Sequence, residues 1–369
     1  MSPSTLPTRK LGKNGPEVSA IGLGAMGTSA PPFERLWSTH ISKSTGMGAF
    51  YGQSDDSESL STLTSAADRG VTFWDTADIY GTSEELLGKW FAQTGRRSEI
   101  FLATKFGARD LSEGAKDPNK LNSKPSYIRS QFQASLKKLQ TNYIDLYYQH
   151  RVDPEVPIEI VVEALRPLVE SGQLKWIGLS EPSIETLKRA RAVPGIGEKV
   201  IAAQMEFSPF ELYVEKTGFV DAINEAGMGI VAYSPLARGL VTGRFSSPDD
   251  FEENDFRRSV PRFSAENFPK NIRVVDELNK VARKYNATTS QVTLAWILAE
   301  HPNFVPIPGI RNVSRLEENA HGGEIVLSSD DVKAIRAVVE AAEVAGARYP
   351  PGLIPEGDCI PLSSWNGEN

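Results

Sequence analysis

Phe73-Trp74-Asp75-Thr76-Ala77-Asp78-Ile79-Tyr80-Gly81 is an apolar, β-prone run that ends in a carboxylate, with a tyrosine and then a glycine shortly after. Two further stretches share its design: Phe101-Leu102-Ala103-Thr104-Lys105-Phe106 and Asp145-Leu146-Tyr147-Tyr148-Gln149-His150. In each, an apolar strand delivers a polar residue with proton chemistry near its C-terminal end. An aspartate, a tyrosine, a lysine and a histidine at neighbouring strand ends compose a proton-donating site.

Working outward, short apolar segments alternate with amphipathic ones along the chain. Strands are expected at 18–24, 71–77, 100–106, 143–150, 176–180, 202–207, 229–233 and 304–307. Helices are expected at 57–69, 84–91, 127–139, 157–169, 183–192, 219–226, 274–285, 289–298 and 313–319, with a further one at 330–342. The strands are mostly apolar throughout, as parallel strands covered on both faces must be. Eight strand–helix units predict an α/β fold, a closed (β/α)8 TIM barrel with an extra C-terminal helix. The alternative is an open doubly wound sheet. Gly22-Leu23-Gly24-Ala25-Met26-Gly27 fits its G-x-G-x-x-G fingerprint literally, but no helix opens at its end and no acidic partner follows promptly. The whole of 1–369 reads as one domain, with a Pro- and Gly-rich tail at 343–369.

The balance of residues narrows the partners. A formal net charge of −7 argues against non-specific nucleic-acid binding. The single cysteine, Cys359, allows no internal disulfide and points to a reducing, cytoplasmic setting. No apolar run reaches the ~18 residues that cross a bilayer. His40, His150, His301 and His321 lie at no metal-ligand spacing, so no metal is expected.

In a barrel, active sites form at the C-terminal ends of the strands. Asp75, Lys105 and His150 fall at the ends of the second, third and fourth strands, and Tyr80 just past the second. A free phenol with a pKa near ~10 is a poor acid at neutral pH. A neighbouring ammonium is expected to lower that value, and a carboxylate to hold the ammonium in place. The set therefore reads as Asp75 orienting, Lys105 activating and Tyr80 donating, with His150 placed to hydrogen-bond a substrate carbonyl and share the proton transfer. Any one of these alone would more ordinarily be a surface ion pair or a satisfied core-edge group. Tyr147 and Tyr148 read as strand packing, Asp78 as a loop or cap residue, Arg151 with Asp153 as a local ion pair, and 249–258 as a solvated loop.

These residues carry a resemblance. The sequence resembles the aldo-keto reductase superfamily, in the branch of fungal, bacterial and plant reductases related to potassium-channel β subunits. The similarity rests on Phe73 to Gly81, Ala103 to Phe106, Asp145 to His150, Ile177 to Ser180, Gln204 to Phe210, Tyr233 to Leu240 and Pro306 to Asn319. It implies a barrel that binds NADPH extended, without a Rossmann domain, and reduces aldehydes and ketones by hydride with Tyr80 as proton donor. Tyr233 matches the aromatic that stacks on the nicotinamide, and Ser180 and Gln204 the groups that bind its carboxamide. Glu181 stands where asparagine is commoner. Ser234, Leu236, Arg238, Gly239 and Leu240 match the pyrophosphate segment. Gly309, Arg311, Arg315, Glu318 and Asn319 match the adenosine end, where two guanidinium groups at a helix start suit a 2′-phosphate. The long loop at 236–269 is expected to fold over the dinucleotide.

The resemblance also marks an anomaly. Residues 28–46, between Gly24-Ala25-Met26-Gly27 and Gly46-Met47-Gly48-Ala49, interrupt the usual run from the first strand. They read either as a lid over a small-molecule carbonyl substrate or as intron-derived sequence, which the uneven composition and repeated flanks favour. Three functions compete: a carbonyl reductase, a redox-sensing binding subunit, and a silenced paralogue obstructed by the insertion.

Overall fold

The structure is a computed structural model that describes residues 6–26, 56–253, 255–350 and 357–368. The insertion read at 28–46 lies outside the described residues. A two-stranded antiparallel hairpin, β1 (Thr8–Lys10) and β2 (Glu17–Ser19), precedes the main sheet. Eight parallel strands then follow one another in chain order: β3 (Leu23–Gly24), β4 (Phe73–Asp75), β5 (Phe101–Phe106), β6 (Ile144–Gln149), β7 (Leu174–Ser180), β8 (Val200–Glu206), β9 (Gly229–Tyr233) and β10 (Phe304–Ile307).

The sheet closes where β3 meets the end of β10. The Gly22 and Gly24 amides donate to the Pro306 and Pro308 carbonyls at 2.9 and 3.0 Å, and Gly24 bridges Gly309 in parallel. A Cβ on Gly24 would lie 2.7 Å from the Ile307 carbonyl oxygen, so this approach needs glycine. The closure yields the expected (β/α)8 barrel and excludes the open sheet. Gly22 and Gly24, the first two glycines of the G-x-G-x-x-G match, serve the seam.

Two hydrophobic layers follow from the alternation of side chains along each strand. Phe73, Ala103, Leu146, Tyr148, Val231 and Val305 fill the barrel interior. Trp74, Leu102, Tyr147 and Ile177 face outward onto the helices. The hairpin adds Leu11 and Val18 to the inner layer. It caps the end where the strands begin, where Arg9 donates to the His301 and Phe304 carbonyls at 2.6 and 3.2 Å.

The segment expected as one strand at 18–24 is two. The Ser19 hydroxyl donates to the Ile21 carbonyl at 2.8 Å and accepts from the Thr72 and Phe73 amides, which bends the chain between β2 and β3. The loop at 236–269 is also less open than its charge suggested. Phe251 is buried, packs tilted against Phe245 and edge-on against Phe263, and the Arg257 guanidinium lies 4.3 Å from the Phe251 ring centre. Its last helix, Phe268–Lys284, starts before the expected position because Pro269 sits in its first turn, where no amide donor is needed.

The extra helix, Ser329–Ala341, is clamped by Arg336 to Glu215 (both nitrogens at 2.8 Å) and to Glu300 (3.0 Å). No described helix is long and apolar enough to cross a membrane.

Two outcomes test this packing. Gly24→Ala should force the seam apart and lower stability by about 1–3 kcal/mol in urea unfolding, since small-to-large changes in tight sites cost that much. The second concerns acid. Burial works against the Glu215 carboxylate, yet hydrogen bonds from His301 and Arg336 outweigh it and bring its pKa down to about 2. Because the folded value lies below the ordinary 4.5, Glu215 contributes its full stabilisation above about pH 4.5 and loses it as pH falls towards 2. That contribution is at most about 3 kcal/mol at roughly 1.4 kcal/mol per unit, and less once solvent screens this partly exposed group. Glu215→Gln should reduce stability at pH 7 and flatten the dependence between pH 4.5 and 2; an unchanged acid limb would show that other groups set it.

Candidate active site

Parallel strands in register bring their C-terminal ends to one face. Asp75 ends β4, Lys105 is the penultimate residue of β5, and His150 follows β6. Tyr80 is held in the turn after β4, where its amide donates to the Ala77 carbonyl at 3.1 Å and Gly81 adopts a left-handed φ of 57°. The Lys105 ammonium is fully buried. It donates to Asp75 Oδ1 at 2.5 Å, to the Thr76 carbonyl at 2.7 Å and to Tyr80 Oη at 3.5 Å. Tyr80 and His150 meet edge to face with ring centres 5.7 Å apart. The four residues read as a set from the sequence do converge.

Their electrostatics differ from expectation in one respect. Burial, and next the Asp75 charge, push the Tyr80 phenol well above its ordinary value; the opposing positive charge is that of Arg151. Sequence spacing made Lys105 and Tyr80 neighbours but could not show how deeply both lie, and burial outweighs the neighbour. The phenol is thus protonated throughout the neutral range. Burial raises Asp75 and lowers Lys105, each opposed by their mutual contact. Burial, with Lys105 and Arg151 adding to it, holds His150 well below the usual imidazole range, so it is neutral. Its Nδ1 has no hydrogen-bond partner among the described residues. A neutral imidazole can offer a hydrogen bond to a carbonyl oxygen.

The residues matched to the cofactor distribute around this centre. Gln204 donates its amide to Asp75 Oδ2 at 2.7 Å, fixing the carboxylate that holds Lys105. Ser180 Oγ accepts from Arg151 Nη1 at 3.0 Å. Arg151 forms no ion pair with Asp153, contrary to the sequence reading. Asp153 instead accepts the Ser123 and Glu155 amides at 2.8 and 2.9 Å. Tyr233 ends β9, and Ser234, Ala237 and Arg238 follow it with left-handed φ of 50°, 48° and 54°. Leu236 and Gly239 share that turn, in which the Gly239 amide donates to the Leu236 carbonyl at 2.9 Å, and Leu240 anchors it in the core. At the seam, the Asn319 amide approaches the Gly309 carbonyl at 3.5 Å. Helix Val313–Gly322 is capped by Asn312; Arg311 is exposed just before the cap. Arg315 pairs with Glu318, which also accepts from Arg244 at 3.3 Å.

Sequence reasoning missed the C-terminal tail as part of the site. The tail crosses the strand-end face: Ala345 exchanges hydrogen bonds with Asn271 at 2.9 Å each, and the Ser183 amide donates to the Gly357 carbonyl at 2.9 Å. Arg348 grips Glu181 through two bonds at 2.9 and 2.7 Å and reaches Glu206 at 3.3 Å. Glu206 also accepts Arg238 at 3.1 Å. Tyr233 donates to Glu181 Oε1 at 2.8 Å, with Tyr349 Oη 3.4 Å away. Tail residues thus join the ends of β7, β8 and β9. Periodicity gave no signal for this; the only sign was Arg348-Tyr349 inside a Pro-rich stretch. Among the described residues, no cluster of histidine, cysteine and carboxylate side chains suits a metal ion.

The chain resembles known proteins over most of its length. The model of the Aldo/keto reductase family matches residues 43–340. An aldo-keto reductase of Strobilurus tenacellus, str7, is 47% identical over 93% of this chain and 95% of its own. Aldo-keto reductase yakc [NADP(+)] of Schizosaccharomyces pombe is 45% identical over 94% and 96%. Among solved structures, the thermostable aldo-keto reductase Tm1743, bound to the inhibitor epalrestat, aligns with a TM-score of 0.67 at 26% identity over 90% of this chain and all of that one. Aldo-keto reductase AKR11C1 from Bacillus halodurans, at 23% identity and a TM-score of 0.70 over 93% and 98%, shares the fold.

Removing one partner of a buried ion pair leaves the other uncompensated. Lys105→Met should therefore destabilise the protein by about 3–5 kcal/mol in denaturant titration. The double variant with Asp75→Asn should cost clearly less than the sum of the two single changes. Strict additivity would mean that the pair is not coupled.

Proposed function

The chain belongs to the aldo/keto reductase family, and from that premise we propose that it reduces aldehydes or ketones to alcohols with NADPH, Tyr80 supplying the proton. One observation carries this reading: a buried ammonium touches both a strand-end carboxylate and a phenol, at 2.5 and 3.5 Å. The residues present suit the dinucleotide. A half-buried aromatic ring, Tyr233, stands at the strand-end face. A run of left-handed residues follows it. Arg311 and Arg315 flank a helix start, a cationic setting for a 2′-phosphate and hence for NADPH over NADH.

When bound, NADPH supplies the hydride. The chain's own groups do the rest. His150, neutral, donates a hydrogen bond to the substrate carbonyl oxygen and sets its orientation against Tyr80. Negative charge develops on that oxygen as hydride arrives. An alkoxide is far more basic than a phenolate, so the Tyr80 proton moves to it even from a phenol whose acidity burial has reduced. Lys105 stabilises the phenolate left behind, and Asp75 and Gln204 hold Lys105 in place. The reverse sequence oxidises an alcohol through the same groups.

The test is consumption of NADPH with an unhindered aldehyde such as 4-nitrobenzaldehyde. Tyr80→Phe should lower kcat by about 10²–10⁴-fold, the range of general acid contributions, while NADPH still binds, as read by protein fluorescence. Binding without turnover in the unaltered protein would favour a redox-sensing subunit instead. Loss of NADPH binding in Tyr80→Phe would move Tyr80 out of the proton-donor role.

A further inference from the structure

Arg151 lies at the strand-end face, and the reaction above does not use it. It follows His150 directly. One nitrogen, Nη1, donates to the His150 carbonyl at 2.8 Å and to Ser180 Oγ at 3.0 Å, which fixes the guanidinium beside the reacting groups. Nε and Nη2 make no hydrogen bond to any described residue. Tyr80, Tyr233 and Tyr349 surround it closely enough to interact with its charge.

Among the described residues, the carboxylates at this face have hydrogen-bonding partners other than Arg151, while the Glu181 charge also acts on it. Asp75 is held by Lys105 and Gln204, Glu181 by Arg348, and Glu206 by Arg238 and Arg348. Burial, and next the Glu84 charge, push the Asp78 carboxyl well up. Among the described ion pairs at this face, Lys105, Arg238 and Arg348 hold Asp75, Glu181 and Glu206, and Arg151 takes part in none. The two unused donors of this partly buried guanidinium can meet an anion. A planar fork with a free edge matches a carboxylate in particular.

We propose that Arg151 is a substrate-anion subsite, and that this protein selects carbonyl compounds that also carry a carboxylate. The inference rests on the reductase reading, because it places the reacting carbonyl between Tyr80 and His150. The carboxylate then lies on the side of the substrate facing β6 and β7, where Ser180 keeps the guanidinium from turning away.

A matched pair of substrates tests it: 4-carboxybenzaldehyde and its methyl ester, methyl 4-formylbenzoate, each with NADPH. The unaltered protein should favour the acid in kcat/KM by about tenfold or more, chiefly through KM, as for a charge-assisted contact. Raising the salt from about 20 to 500 mM should shrink that preference. In Arg151→Gln the acid should lose at least tenfold more than the ester, and Arg151→Lys should recover part of the difference. Equal losses for both substrates would overturn the proposal and make Arg151 a general electrostatic support for Tyr80. An unaltered protein that reduces the ester as well as the acid would overturn it while leaving the reductase reading intact. Reduction of neither would remove both.

Discussion

An ammonium buried out of contact with water is tolerated only if every donor finds an acceptor. The Lys105 site meets that condition with one side-chain carboxylate, one backbone carbonyl and one phenol. The arrangement depends on the barrel as a whole. Asp75 and Lys105 come from adjacent strands, while Gln204, which fixes the second Asp75 oxygen, comes from β8 across the ring. A register slip of one residue in either strand would turn Lys105 or Asp75 to the helix side. The same geometry that satisfies the buried pair therefore also presents Tyr80 and His150 to one point.

Backbone strain gathers at the same face. Glu181, Ser234, Ala237 and Arg238 are non-glycine residues with left-handed φ, and they lie at the end of β7 or in the turn after β9. Such conformations cost about 1–3 kcal/mol each and persist where surrounding contacts over-determine them. Here those contacts are known: Arg348 and Tyr233 hold Glu181, and Glu206 holds Arg238. The tail thereby maintains strained positions that the strands alone would not.

The sequence made the central set legible because the strands are apolar and their ends are not. Asp75, Lys105 and His150 stand out against Phe73-Trp74, Phe101-Leu102 and Tyr147-Tyr148. Three things were not legible. Depth of burial was hidden, so the direction of the Tyr80 shift was misread. Partner choice between distant segments was hidden, so Arg151 was paired with Asp153 and Arg348 was passed over. The bend at Ser19 was hidden because it depends on two amides at the start of β4. Each failure concerns contacts between segments remote in the chain, which hydrophobic period and local spacing do not encode.

The seam between Gly24 and Gly309 has a consequence for how the chain reaches this state. It joins β3, near one end, to the segment after β10, near the other. Contacts of such long sequence separation form slowly, because closing the intervening loop is entropically costly. Until that happens, β3 and the growing edge of the sheet present unpaired amides and carbonyls, the surfaces most prone to intermolecular pairing. During synthesis the first half of the barrel must wait for the last before its open edge is covered.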